Sequence, residues 1–170
     1  MKRIYLALVL LTSTVSFAQS NKWGLQFNTG AHLLSEAGTG ITMNAGVTYN
    51  FTPAFDLKLD GGLDFIGDDN LNRLGLQAGL DVVKLANKTS KFGLQVHAGG
   101  SLINNGNYRF NDSYLMRGDD MLAVMGGLSP RFEIDQNLWF LIDASYLKLF
   151  KIDGDITKYM NVTVGLAYKF

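Results

Sequence analysis

A chain of 170 residues suits one domain, and 15 basic against 15 acidic residues give none of the charge imbalance expected of a nucleic-acid binder. With no cysteine there is no disulfide framework and no thiolate metal site. Glycine is frequent (19), proline scarce (2), aromatics reach 12 %, and after the first residues no run approaches the length of a membrane-spanning helix.

Lys2 and Arg3 precede an apolar run over residues 4–11, and Ser16 and Ala18 are small residues placed for cleavage before Gln19. Residues 1–18 are therefore expected to be a secretory signal peptide, too short in its apolar part to span a bilayer, with residues 19–170 as the mature domain. Removing Lys2 and Arg3 leaves 15 − 2 = 13 basic residues against 15 acidic ones.

The mature chain alternates apolar and polar residues, the signature of strands whose two faces meet different environments. Trp23, Leu25, Phe27, Ala31 and Leu33 oppose Gly24, Gln26, Asn28, Gly30 and His32, and a turn is expected over 35–40. A second strand carries Ile41, Met43, Ala45, Val47 and Tyr49 on one face and ends before Pro53, which cannot donate to a ladder. Phe55, Leu57, Leu59, Leu63 and Phe65 oppose Asp56, Lys58, Asp60 and Asp64 in the third, and residues 66–71 turn the chain back. Leu74, Leu76, Ala78, Leu80 and Val82 oppose Arg73, Gln77 and Asp81 in the fourth, followed by a polar connection over 84–91. Phe92, Leu94, Val96, Ala98 and Leu102 oppose Gln95, His97 and Ser101 in the fifth, before the longest polar segment, 104–120. Leu122 to Phe132 form a sixth strand, Asp135, Gln136 and Asn137 a tight turn, and Leu138 to Tyr146 a seventh, whose inner face holds Trp139, Leu141, Asp143 and Ser145. A loop is expected over 148–158. Met160, Val162, Val164, Leu166, Tyr168 and Phe170 then line one face of an eighth strand that runs to the last residue.

Eight strands with both ends on one side predict an all-β, antiparallel, up-and-down transmembrane β-barrel, in which every backbone group is paired between strands. Odd-numbered strands carry aromatics at or near their starts (Trp23, Phe55, Phe92, Phe140) and even-numbered ones end in aromatic or apolar residues (Tyr49 and Phe51; Leu80 and Val82; Leu128 and Phe132; Tyr168 and Phe170), which gathers a ring of aromatics at one rim, as membrane interfaces select. Glycines such as Gly46, Gly75, Gly79, Gly93, Gly127 and Gly165 fall on the polar face, where small side chains belong if that face is the crowded inside of a narrow barrel. The contrasting reading, a soluble exported barrel carrying a ligand, needs the apolar face inside.

On this phasing the lumen holds Asp56, Lys58, Asp60, Asp64, Arg73, Gln77, Asp81, Gln95, His97, Arg131, Asp143 and Lys169. Charges in so narrow an interior must pair. A symmetric hairpin over 66–71 would set Asp64 opposite Arg73 and Asp60 opposite Gln77, with Lys58 diagonal to Asp81 and two residues along from Asp60. The candidate charge network is Lys58, Asp60, Asp64, Arg73, Gln77, Asp81, His97 and Asp143. It reads as a rigid polar plug, with a narrow passive pore as the functional alternative.

Signal peptide, alternating strands and aromatic terminus together resemble the OmpA-type outer-membrane barrel, without the periplasmic peptidoglycan-binding domain that often follows it. The resemblance implies a bacterial outer-membrane location, outer-membrane lipid as the surrounding medium, and Tyr168 and Phe170 as the signal read by the barrel assembly machinery. It implies an envelope-structural or surface-interaction role rather than catalysis. Salt-bridge exchange inside such barrels is what the pore alternative would borrow. Some small outer-membrane barrels act on lipid acyl chains, and His32, Ser35 and Glu36 lie close together at one rim, yet His32 points inward and no third group orients a base. The segment 104–120, with Tyr108, Arg109, Phe110, Tyr114 and Arg117-Gly118-Asp119, is expected to be a surface loop able to contact a host, phage or envelope protein. No cofactor is expected, and no metal cluster appears, the two histidines being isolated.

Overall fold

In the computed structural model, which describes residues 22–34, 38–66, 69–105, 121–151 and 156–170, eight antiparallel strands close into a barrel in the order β1 to β8. The strands are β1 (Trp23–Leu34), β2 (Gly38–Asn50), β3 (Phe55–Ile66), β4 (Asp69–Asp81), β5 (Phe92–Asn105), β6 (Met121–Asp135), β7 (Leu138–Lys151) and β8 (Ile156–Lys169). Strand β8 pairs with β1, Leu25 with Tyr168 and Ala31 with Val162, so the sheet keeps no free edge. At 12–15 residues each, the strands exceed the ~9–11 residues needed to cross a bilayer at a tilt. Residues 22 and 170 and the connections after β2, β4 and β6 lie at the near rim, and the opposite ends of the strands define the far rim.

Burial is the reverse of a water-soluble protein's. Ile41 is 59 % exposed and Leu74 55 %, whereas Asp64 is 0 % and Asp60 3 % exposed. A wall of this kind is stable only against an apolar medium, because hydrocarbon left in water forfeits roughly 25 cal/mol per Å². The polar face is inside, which removes the soluble ligand-carrier reading. Aromatic contacts run along the near rim: Trp23 with Tyr49 at 4.9 Å, Tyr49 with Phe51 at 4.9 Å, Phe92 with Phe132 at 5.2 Å, and Tyr168 with Phe170 at 6.1 Å.

Several boundaries differ from the sequence reading. The β3–β4 hairpin pairs Ile66 with Asp69, so only two residues connect the strands, the commonest hairpin length. The zipper therefore runs further than a turn over 66–71 allows, and the pairing slips by two: Asp64 faces Leu71, Gly62 faces Arg73, Asp60 faces Gly75 and Lys58 faces Gln77. A slip of two keeps every side chain on its face, since strands repeat every second residue. Lys58 is thereby four residues from the level of Asp81, not diagonal to it. The loops expected over 35–40 and 148–158 shrink as well, with β2 starting at Gly38, β7 continuing to Lys151 and β8 starting at Ile156. Strand β6 runs through Asp135, with an irregularity between Glu133 and Asp135. Pro130, which has no N–H to give, lies where the β6–β7 pairing lapses between Leu128 and Arg131. The connection after β4 is not wholly irregular, because Val82–Ala86 make one helical turn, α1.

Candidate functional site

The lumen is the one region where charge, burial and convergence of several strands coincide, and it is layered. Near the far rim, Asp64 lies between Arg73, with Nη1 at 3.9 Å, and His32, with Nδ1 at 4.0 Å. The His32 Nδ1–H donates to Asn161 Oδ1 at 2.7 Å, which fixes its ring. Arg73 reaches Asp64 along the strand direction rather than straight across. Its guanidinium lies over Gly62, where a Cβ would stand 3.0 Å from Nη2.

In the middle, Gln77 Nε2 donates to Asp60 Oδ2 at 3.0 Å, and Lys58 Nζ sits 3.8 Å from the same oxygen. Asp60 leans over Gly75, whose missing Cβ would meet Asp60 Oδ1 at 2.5 Å. His97 Nε2 is 3.5 Å from Asp143 Oδ2, and Asp143 accepts from Ser145 Oγ at 2.6 Å and from Ser129 Oγ. Gly127 makes the room for His97, since a Cβ there would stand 2.7 Å from Nε2. The interior thus fits bulky polar groups against bare glycines on neighbouring strands, which is how eight strands enclose so many charges.

At the near rim, Asp56 accepts from Gln95 Nε2 at 2.6 Å and from Arg131 Nη1 at 3.3 Å, while Arg131 also donates to Gln95 Oε1. Asp81 caps α1 with Oδ1, accepting from the backbone N–H of Val83 at 3.1 Å, Lys84 at 3.0 Å and Leu94 at 3.2 Å. This clamp folds the connection beneath the barrel and points Lys84 into its mouth. There Nζ stands 4.4 Å from the ring centre of Trp139, which is also 5.5 Å from Lys169 Nζ.

Trp139 is 5 % exposed and inward, as its parity with Asp143 requires, and stands apart from the aromatic ring outside. One part of this arrangement runs against the expectation of a polar inner face. At the far rim, Ile103, Ala123, Met125, Leu147 and Leu149 form a buried apolar cluster on β5, β6 and β7, packed with Leu71 and Met121. Leu149 falls in the segment expected to be a loop, and a polar inner face predicts none of these side chains. The signal that could have found them is continuity of alternation, since Leu141, Leu147 and Leu149 share the parity of Asp143.

Among the described residues, the polar groups of the lumen are engaged mainly with one another. Ser129 Oγ donates to the carboxylate of Asp143, which also accepts from Ser145 and lies beside His97. His32 is 0 % exposed and committed to Asn161, away from the lipid face, while Ser35 and Glu36 lie outside the described residues. No group of three His, Asp or Glu suited to a metal ion occurs among the described residues. Tyr108, Arg109, Phe110 and Tyr114 also lie outside them, as do residues 1–21. Tyr168 is outward on β8 at the near rim, with Phe170 just beyond the strand.

No protein-family model matches the chain, and no curated protein matches it in sequence. Solved structures do match its fold. The N-terminal β-barrel domain of OprF from Pseudomonas aeruginosa aligns over 86 % of this chain and 97 % of its own, with a TM-score of 0.61 at 14 % identity. Neisserial surface protein A gives 87 %, 97 %, 0.58 and 15 % on the same measures. The outer-membrane protein OprG from Pseudomonas aeruginosa gives 88 %, 96 %, 0.56 and 13 %. At such identities the likeness is one of fold: the chain has the eight-stranded, up-and-down transmembrane barrel of small outer-membrane proteins.

Proposed function

We propose that this chain is a non-enzymatic integral protein of the bacterial outer membrane, exported through a cleaved signal at residues 1–18, with an envelope-structural or surface-interaction role. The observation that carries the reading is a lumen filled from rim to rim. Leu147 and Ile103 at 0 % exposure close the far end, the Asp64, Asp60 and Asp143 networks occupy the middle, and Lys84 on Trp139 closes the near end. Such a barrel is a rigid membrane-embedded frame, and its activity lies in what it displays. The segment 104–120, with Tyr108, Arg109, Phe110 and Tyr114, is the display surface of this proposal, and Tyr168 with Phe170 is the signal for the assembly machinery. Likeness to outer-membrane barrels supports the location.

A narrow pore is the second reading. It draws on buried polar atoms with no hydrogen-bond partner, among them Asp60 Oδ1, Gln77 Oε1 and Ser101 Oγ, which suit water inside the barrel. Planar-bilayer recording of the purified protein separates the two. The plug reading expects no unitary conductance from the protein or from Lys58→Glu. Discrete openings whose ion preference changes with Lys58→Glu would replace it with the pore.

A further inference from the structure

The near mouth of the lumen holds more cation than its carboxylates can use. Lys84, Arg131 and Lys169 converge there with Asp56 and Asp81, and these four other charges are the ones that act on Lys169. Asp56 is taken by Arg131 and Gln95, and Asp81 Oδ1 by three backbone N–H groups. Neither Lys84 nor Lys169 has a carboxylate oxygen within 4.0 Å among the described residues. Yet Lys84 is only 9 % exposed. Both ammonium groups rest on the single indole of Trp139, itself 95 % buried with its Nε1–H unpartnered. An aromatic face offsets part of the cost of such charges, at about 0.5–2 kcal/mol per contact, but supplies no counter-charge.

A buried cation left without an anion is expensive, and two sharing one ring also repel each other. Arg131 cannot absorb the excess, being a third cation. Lys169 keeps part of its surface exposed, so the mouth is not sealed from solvent on its side. We propose that the near mouth, between Lys84 and Lys169 against Trp139, is a binding site for a phosphate group, either free phosphate or the phosphodiester of a lipid headgroup. Two ammonium groups supply charge-assisted hydrogen bonds, and the indole of Trp139 forms one wall of the site. The site stands whether or not the barrel conducts, because it opens only to the side of the near rim.

Trp139 is also the reporter. The chain has two tryptophans, so Trp23→Phe leaves Trp139 as the single indole. This protein, folded in micelles, is titrated with inorganic phosphate at constant ionic strength while the indole N–H resonance is followed and iodide quenching of Trp139 emission is measured. The resonance shift saturates and phosphate protects against iodide. Lys84→Gln combined with Lys169→Gln raises the half-saturating phosphate at least about tenfold, as loss of charge-assisted hydrogen bonds requires. Nanodiscs without phosphate identify the source. The shifted resonance in phosphatidylglycerol but not phosphatidylcholine assigns the group to a lipid headgroup, and its appearance only on adding phosphate assigns it to a solute. A response that never saturates in the Trp23→Phe protein, and is the same in both lipids, overturns the site even if the double variant fails to show the heat-modifiable migration of a folded barrel.

Discussion

Arg73 shows how a single side chain in this barrel serves two neighbours. It leaves β4 opposite Gly62, uses the volume that glycine does not fill, and ends 3.9 Å from Asp64. Asp64 is 0 % exposed and accepts no hydrogen bond at Oδ1 or Oδ2 among the described residues, so its charge is balanced by Arg73 at 3.9 Å. Removing one member of a buried pair costs more than the pair contributes, because the survivor stays charged and unsolvated. Arg73→Met is therefore expected to lower the unfolding free energy by about 3–5 kcal/mol. Asp64→Asn added to it should recover part of that loss, since no bare charge then remains. Urea unfolding in lipid vesicles, followed by migration on gels, reads both values. Additive losses in the double variant would show that Asp64 does not depend on Arg73.

At the level of elements, the connection after β4 is built around Asp81. One carboxylate oxygen holds the N–H groups of the second and third residues of α1 and the Leu94 N–H of β5, so a five-residue helix too short to stand alone is clamped to the wall. Asp81→Ala removes three acceptor contacts and is expected to cost about 2 kcal/mol, the upper end for an N-cap. Asp81→Asn keeps an oxygen in place and should cost a fraction of that, again by urea unfolding. The same elements show what a sequence can and cannot reveal. Alternation along Ile41 to Tyr49 or Leu74 to Leu80 assigns each residue to the lipid or the lumen, because parity survives any error in where a strand starts. It does not reveal register. Asp64 opposite Arg73 and Asp64 two steps from Arg73 are the same parity pattern, and only the length of the hairpin connection chooses between them. Nor does it reveal that the inner face changes character along β7, from Asp143 and Ser145 to Leu147 and Leu149. Inward apolar residues break the contrast between a polar and an apolar face, so alternation fades from Leu147 on although the strand continues to Lys151. Lys84 was illegible for another reason: its place in the lumen depends on Asp81 and Trp139, which are 58 residues apart in sequence and meet only once the barrel closes.

For the whole molecule, these features put two closures of opposite chemistry in series. The far one is apolar packing of Ile103, Met125, Leu147 and Leu149, and the near one is Lys84 on Trp139. Between them lies the charged middle, where pairing has left some buried oxygens without partners. With two closures in series a path opens only when both do, because the unpartnered polar atoms of the middle suit water. Lys84→Ala with Trp139→Ala clears the near mouth but leaves the apolar cluster dry, and a dry constriction blocks ions without any charge. Leu147→Ser with Leu149→Ser wets the far end but leaves Lys84 in place. Each pair alone is expected to remain silent in a planar bilayer, while the four substitutions together give small unitary currents limited by the Asp60–Lys58 and Asp143–His97 layer. Currents from either pair alone would mean that one closure carries the seal by itself. Silence from the combined variant, verified as folded by its migration on gels, would place the seal in the paired charges of the middle. That outcome would leave the polar network, not the ends, as what makes this barrel a solid frame.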